Sequence, residues 1–420
     1  MKYHLIGDQG VSMRGIKEYL SFLGHTVTGS DLKTGGHKKE NITADLDAVI
    51  RTSAANNHSE AKIEIDEAEK LGIKIMKRSE ILKEITEGKQ LIAISGMHGK
   101  TTVTTMAGLV LAAAGFDPTI FVGADVKEIN GVVRIGRSDW FVMEACEYDR
   151  AFLDFYPKIL ILTNIEEEHL DTYPGGLPEI KKAFLQYVNH LPDDGLIIAS
   201  GDDQNIREVM AERSTKAKVV YYGKGSTQYN SLEFELAIPG QHNIQNALSV
   251  LALADYLGID DKIVEDVLST FQNADRRFEK RGVYNGADLI DDYGHHPTEI
   301  KTTIEALCER YPDKKKYVVF WPHQYKRILP LIDKFASSFK GADQVIIKPI
   351  YFVPGRDEVL PVSSEQLVGE INKVSGNALF LATDQEIAEY LKHNLDHNSV
   401  LLTIGIPPVY KVIDKILEKK

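Results

Sequence analysis

Residues 96–102 read Gly-Met-His-Gly-Lys-Thr-Thr. These residue types make a phosphate cradle. Gly96 and Gly99 let backbone N–H groups turn toward an anion, Lys100 adds a full positive charge, and the Thr101 hydroxyl can ligate Mg²⁺. His98 and Thr102 complete the loop. The strict P-loop pattern asks for glycine where Ile94 stands, so this is a shortened form. Glu144 ends one apolar run, and His169 follows another with Asn164-Ile165-Glu166 between. Taken singly, these are a strand-end acid and a loop histidine. Taken with Thr101, they suit a Mg²⁺ ion beside nucleotide phosphates.

The elements that must position these groups follow from periodicity. Leu91–Ile94 has the continuous apolar character of a buried parallel strand. Val103, Met106, Ala107, Val110, Leu111 and Ala114 recur at helical spacing. Trp140–Met143 and Ile159–Thr163 read as further strands. Ligands of an open parallel sheet sit outside the carboxyl ends of its strands, so three strand ends deliver Lys100, Glu144 and His169 to one crevice. Glu147, Asp149, Glu166, Glu167, Glu168 and Asp171 make its rim acidic, and most of them read as solvated.

The chain opens with a Rossmann-type pattern. Strand Tyr3–Ile6 leads through Gly7-Asp8-Gln9-Gly10 into helix Met13–Leu23, closed by Gly24, and then strand His25–Gly29 and Ser30-Asp31. Gly7 and Gly10 permit close approach to a pyrophosphate, and Asp31 is the acid about 20 residues onward. Gln9 and Ser12 stand where further glycines would complete the fingerprint, and Arg14 is the cation expected to offset Asp8. Strands Ala48–Thr52 and Ile73–Met76 enclose helix Glu60–Leu71. Beyond strand Leu196–Ser200, Asn243 and Asn246 sit near the start of a helix spanning about residues 244–257, where they can meet a base edge or, the better reading, cap the helix. Arg276-Arg277 suits a hinge reaching a phosphate, and equally a surface basic pair. Strand Leu289–Ile290 precedes Asp291-Asp292-Tyr293-Gly294-His295-His296, and Pro297 opens a helix. Strand Tyr317–Trp321 ends in Pro322-His323-Gln324-Tyr325-Lys326-Arg327. Strands at Val345–Ile347, Leu379–Leu381 and Val400–Thr403 follow, with a Ser363/Gln366 capping box. The expected architecture is α/β in three domains. Residues 1–88 are Rossmann-like and bind substrate, 89–277 form a central P-loop ATPase-like parallel sheet, and 278–420 are again Rossmann-like.

Composition narrows the function. The 420 residues exceed one ordinary core, and 43% hydrophobic with 26% charged residues is a globular balance. A net charge of -12 disfavours nucleic-acid binding. Two cysteines, Cys146 and Cys308, give no disulfide framework and suit a cytoplasmic location. The first apolar run is too short for a signal peptide and none is long enough to span a membrane, so no membrane partner is expected.

The stretches G-M-H-G-K-T-T, E-A-C-E-Y-D, T-N-I-E-E-E-H-L-D, P-G-Q-H-N-I-Q-N-A, R-R-F-E, D-D-Y-G-H-H-P-T-E and P-H-Q-Y-K-R occur in that order. Together they resemble the Mur ligases over nearly the whole chain. The resemblance implies a cytoplasmic, three-domain enzyme of peptidoglycan synthesis, a monomer or weak homodimer, with ATP and Mg²⁺ as cofactors. It implies joining of L-alanine to the carboxylate of a UDP-linked sugar, UDP-N-acetylmuramate, through an acyl phosphate. Carried over by motif, Lys100, Glu144, His169, Arg277 and His295 are catalytic. Gly96, His98, Gly99, Thr101, Thr102, Asn243, Asn246 and Asp292 join them in binding ATP, with Thr101, Glu144 and His169 on the metal. Gly7, Gly10, Gly15, Asp31, Tyr293, His295, His323 and Arg327 face the UDP-sugar and amino-acid substrates, the last four in the third domain.

Departures from the family pattern lie mainly outside the ATP machinery. Asp8 adds negative charge to the first loop, and that loop's spacing also resembles the relative that attaches murein tripeptide. Met97 replaces a threonine, Cys146 an aspartate, Gln324 an arginine, and Gly405-Ile406-Pro407-Pro408 a Gly-Ala-Gly-Asp pattern. Two alternatives therefore stand beside the alanine-adding reading: a Mur-type ligase with another substrate, and a nucleotide-binding protein without catalysis.

Overall fold

The computed structural model describes residues 1–52, 55, 59–353 and 357–418. It forms two compact units, Met1–Ala237 with Asn243–Ala274, and Ile238–His242 with Asp275–Lys420. The first unit holds two sheets. Strands β1 (Lys2–Ile6), β2 (Thr26–Ser30), β3 (Ala48–Arg51) and β4 (Lys74–Lys77) run parallel in the order β2-β1-β3-β4. The sheet grows one way from β1 to β2 and the other way to β3. Such a reversal opens a crevice at the carboxyl ends, where the Gly7 loop leaves β1.

The second sheet contains β5 (Gln90–Ser95), β6 (Thr119–Val126), β7 (Gly131–Arg134), β8 (Trp140–Glu144), β9 (Ile159–Leu162), β10 (Leu196–Ser200) and β11 (Lys218–Tyr222). Their order is β11-β10-β9-β5-β8-β6-β7, parallel except for β6 against β7. Leu91–Ile94, Phe141–Met143, Ile159–Leu162 and Leu196–Ala199 are buried throughout, the uninterrupted apolar runs of strands covered on both faces. Register sets their ends level, with Ile94 opposite Glu144 and Ser95 opposite Leu162.

The two sheets of this unit share a core. Helix Val11–Phe22 buries Met13, Ile16, Tyr19 and Leu20. The Tyr19 ring meets Phe121 at 5.8 Å and Phe141 at 5.9 Å edge-on, and those two rings stack at 5.3 Å. Gly15 lies inside this helix, where an added Cβ would come 3.1 Å from the Phe121 ring. The assignment of Gly15 to a substrate loop is therefore corrected: it is a helix-packing glycine.

In the second unit, β12 (Glu279–Tyr284), β13 (Ala287–Asp292), β14 (Lys315–Phe320), β15 (Gln344–Ile347), β16 (Ala378–Phe380) and β17 (Ser399–Ile404) take the order β12-β13-β17-β14-β15-β16. Only β12 against β13 is antiparallel. The ends of β13 and β14 flank β17, since Asp292 and Phe320 both pair with Ile404. The expected capping box at Ser363 and Gln366 is present. No helix among the described residues is long and apolar enough to cross a membrane.

Candidate active site

The candidate phosphate cradle, residues 96–102, is built by close approach. Gly96 has φ 137°, and a Cβ there would lie 2.1 Å from Thr163 Oγ1 and 2.9 Å from Asn164 N. Gly99, at φ 83°, caps helix Lys100–Ala113, and its Cβ would lie 2.8 Å from Asn246 Oδ1. Only glycine fits either place. The loop is tied to the end of β9: His98 N donates to Asn164 Oδ1 at 2.9 Å, while Thr163 Oγ1 and Asn164 Nδ2 donate to His98 O at 2.7 and 3.0 Å. The capping reading of Asn243 and Asn246 is corrected by the helix bounds, Gln241–Tyr256. Both asparagines lie within the helix and are buried, Asn246 Nδ2 donating to Asn243 Oδ1 at 3.3 Å.

Lys100 Nζ donates to Gly96 O, to Met97 O at 3.0 Å and to Glu147 Oε1 at 3.2 Å, with Glu147 Oε2 at 2.9 Å. His169 Nε2 lies 3.2 Å from the same Glu147 Oε1. Glu147 is not one of the solvated members of the acidic rim, because its side chain is 1% exposed. Burial opposes its charge, but Lys100 and His169 outweigh burial and hold its carboxyl below the ordinary range. Burial likewise opposes the Lys100 charge, and Glu147, Cys146 and Glu144 keep that ammonium above its ordinary value. Glu144 closes β8, and Gly123 N donates to its Oε1. Thr101 is buried in the first helical turn, and Thr102 Oγ1 donates to Asn273 Oδ1 at 3.2 Å. Lys100, Thr101, Glu144 and His169 thus follow the carboxyl ends of the adjacent central strands β5, β8 and β9, as expected. The signal for Glu147 was its place beside Ala145 and Cys146, small residues a buried turn can accommodate.

At the first sheet, Gly7 N and Asp8 N both donate to Ser30 O, at 2.7 and 3.1 Å, and Gly10 N donates to Gly7 O at 3.1 Å. Asp8 is buried, with Lys17 Nζ 2.7 Å from Oδ2 and Gln9 Nε2 3.0 Å from Oδ1. Lys17, not Arg14, offsets its charge, since Arg14 forms a fork with Asp125 at 3.0 and 2.7 Å. Asp31 accepts from Lys33 N at 3.0 Å and caps the short turn Leu32–Thr34.

In the second unit the candidate residues lie just before β12 and at the ends of β13 and β14, the last two on either side of β17. Arg276 donates to Asp291 at 2.7 Å and to the carbonyls of Gly405, Ile406 and Pro407, so it braces this unit and is no surface cation. Burial pushes the Asp291 carboxyl up to about 6 against Arg276's opposing charge. Arg277 lies over the Tyr293 ring at 5.2 Å and 3.9 Å from Glu299 Oε1. Asp292 is buried and accepts from Phe278 N at 2.9 Å and Gly294 N at 2.7 Å. His295 Nδ1 is 3.3 Å from Glu299 Oε2, and its ring meets Tyr293 edge-on at 5.7 Å. At the end of β14, His323 stacks on Tyr351 at 5.9 Å and its Nδ1 lies 3.1 Å from Arg327 Nη1. Gln324 holds φ 65° at the start of the helical turn Tyr325–Ile328.

Three family models match in order along the chain: Mur ligase family, catalytic domain, over residues 2–90; Mur ligase middle domain over 94–254; and Mur ligase, glutamate ligase domain, over 276–406. The chain belongs to the Mur ligase family. This Mur ligase is 36% identical over 457 residues to the UDP-N-acetylmuramate–L-alanine ligase of Caldanaerobacter subterraneus subsp. tengcongensis, covering 100% of this chain and 97% of that protein. It is 38% identical over 454 residues to the protein of the same name from Clostridium acetobutylicum, covering 100% and 98%. Its fold matches the UDP-N-acetylmuramate-alanine ligase of Thermotoga maritima with a TM-score of 0.81 at 24% identity, covering 100% and 99%. It also matches a murein peptide ligase of Psychrobacter arcticus with a TM-score of 0.71 at 21% identity, covering 100% and 98%. The Mur ligase is accordingly an ATP-dependent ligase, and the reading without catalysis falls away.

Proposed function

We propose that this Mur ligase joins L-alanine to the lactyl carboxylate of UDP-N-acetylmuramate, with ATP converted to ADP and phosphate, in cytoplasmic peptidoglycan synthesis. The observation that carries the substrate assignment is full-length identity of 36–38% to relatives named for that reaction. A carboxylate does not acylate an amine until one oxygen becomes a leaving group. Transfer of the γ-phosphoryl of ATP to that oxygen releases ADP and leaves an acyl phosphate. The neutral amine of alanine then attacks the carbonyl carbon, loses a proton, and expels phosphate.

Bringing two anions together is an electrostatic task. The Gly96–Thr102 loop and Lys100 hold the phosphates, and Asn246, against Gly99, fixes the loop's depth. Thr101, Glu144 and His169 would hold Mg²⁺: a hydroxyl, a carboxylate and an imidazole beside a phosphate loop are a donor set that fits a divalent cation. When bound, Mg²⁺ supplies charge neutralisation between the phosphates and the attacking carboxylate. Arg277 and Asp292 are assigned to the nucleotide, and Tyr293, His295, His323 and Arg327 to the substrates, on their motifs. The loop Gly7–Gly10 is assigned to the UDP moiety, with Lys17 cancelling the Asp8 charge that would repel a pyrophosphate. Isothermal titration of UDP-N-acetylmuramate, with a non-hydrolysable ATP analogue and Mg²⁺ present, tests the donor. Heat of binding is expected. No heat for this ligand, with clear binding of another UDP-sugar, would overturn the assignment.

A further inference from the structure

Glu147 is the buried acid that the reaction as described leaves without a role. Its carboxylate lies between the cradle lysine and the proposed metal-binding imidazole, 2.9 Å from Lys100 Nζ and 3.2 Å from His169 Nε2. Two interlocked loops hold it there. Tyr173, fully buried, donates its hydroxyl to Glu147 O at 2.6 Å. Asp149 N donates to Thr172 Oγ1 at 3.4 Å, and Tyr148 OH to Asp171 Oδ2 at 3.2 Å. The Tyr148 ring meets His169 edge-on at 5.1 Å. Asp149, Arg150 and His169 all have φ 54°, a left-handed conformation that non-glycine residues keep only where surroundings impose it. Strain gathered on both loops at their contact marks a built arrangement.

We propose that Glu147 is a positioning residue with two opposed effects: it holds His169 ready for the metal, and it holds Lys100 back from phosphate until nucleotide and metal arrive together. The inference rests on the reading of Lys100 and His169 as phosphate and metal groups. A carboxylate that receives the Nε2 proton fixes the imidazole tautomer and leaves Nδ1 with the lone pair, and such outer partners typically contribute ten- to a hundredfold to metal affinity. Toward Lys100 the same carboxylate competes with the incoming phosphates. Metal-free nucleotide must displace it, with negative charge repelling negative charge.

The two effects have opposite signs when the charge is removed. In Glu147→Gln, an ATP analogue titrated calorimetrically in excess chelator is expected to bind about tenfold more tightly than to the parent. Mn²⁺ titrated into the enzyme–analogue complex, followed by electron paramagnetic resonance, is expected to bind at least about tenfold more weakly. Glu147→Asp is expected to fall between the parent and Glu147→Gln on both scales. A role limited to holding the loops would lower the melting temperature and weaken both affinities together. Both affinities within twofold of the parent, or both moving in the same direction, would overturn the proposal. Should Glu147→Gln not fold, Tyr173→Phe, which frees the Glu147 backbone but keeps the charge, is expected to weaken Mn²⁺ binding without tightening metal-free nucleotide binding; unchanged Mn²⁺ affinity there overturns it. Lys100→Ala and His169→Ala separate this outcome from the underlying reading. If they too leave nucleotide and Mn²⁺ affinity unchanged, the reading of the cradle fails. If they weaken them while the Glu147 variants do not, only the role of Glu147 fails.

Discussion

Replacing Glu64 by glutamine is expected to destabilise the first unit by about 3 kcal/mol at neutral pH. The Glu64 side chain is 0% exposed. It accepts from Ser30 Oγ and Asn41 Nδ2 at 2.6 Å each and from Lys38 N at 3.0 Å, with His37 Nδ1 at 3.1 Å. Burial pushes its carboxyl up, and the hydrogen bonds from His4, Ser30, Asn41 and Lys38 overcome this and hold it at about 2, against an ordinary 4.5. At about 1.4 kcal/mol per pH unit, that difference is worth roughly 3 kcal/mol. Because the folded value is the lower one, this stability is present above about pH 4.5 and is lost as pH falls toward 2. The deficit of Glu64→Gln is therefore expected to shrink to about 2 kcal/mol near pH 3.5. At neutral pH the loss corresponds to a melting shift of roughly 6 °C for a body of this size. Urea unfolding of parent and variant at several pH values, with hydrogen exchange read over residues 31–42, measures both quantities. A loss below about 1 kcal/mol, or a deficit independent of pH, would refute the reasoning. The same residues carry Asp31, so a raised KM for the UDP-linked substrate should accompany the loss.

The other predictions concern the two glycine loops. Lys100→Ala should lower ligation about a thousandfold or more, measured as ADP release, and should also lower the melting temperature, because it leaves the buried Glu147 carboxylate without its lysine. Gly96→Ala forces a Cβ to within 2.1 Å of Thr163 Oγ1 at φ 137°. It should cost about 3 kcal/mol and weaken nucleotide binding tenfold or more by calorimetry, with partial recovery in the double variant that adds Thr163→Ala. Lys17→Met should raise the KM for the UDP-linked substrate several-fold in steady-state assays with kcat unchanged, and adding Asp8→Asn should restore it.

The central strands and the residues at their ends were legible because both follow from local pattern. An apolar run covered on both faces, as at Ile159–Leu162, announces itself, and chemistry gathers where such runs stop. β6, β7 and β11 were not anticipated. β6 mixes Gly123 and Asp125 into its second half, and β11 is largely half-exposed, so neither reads as a buried strand. Side-chain partners were less legible still. Arg14 and Lys17 are equally placed in sequence to neutralise Asp8, and only the packing of helix Val11–Phe22 on β6 sends Arg14 to Asp125. Gly15 looked like a loop glycine because the phenyl ring it admits lies far along the chain. Nothing in the sequence set Glu147 apart from the other rim acids, because the groups that bury it come from two separate segments, at Lys100 and His169.

The central claim is tested most directly by incubating the full chain with ATP, Mg²⁺ and UDP-N-acetylmuramate across a panel of L-alanine, glycine, L-serine and murein tripeptide, recording phosphate release and product mass. The account predicts one phosphate per amide formed, requiring both UDP-N-acetylmuramate and L-alanine, with a product heavier by one alanine residue. Turnover with the tripeptide and none with L-alanine would contradict it.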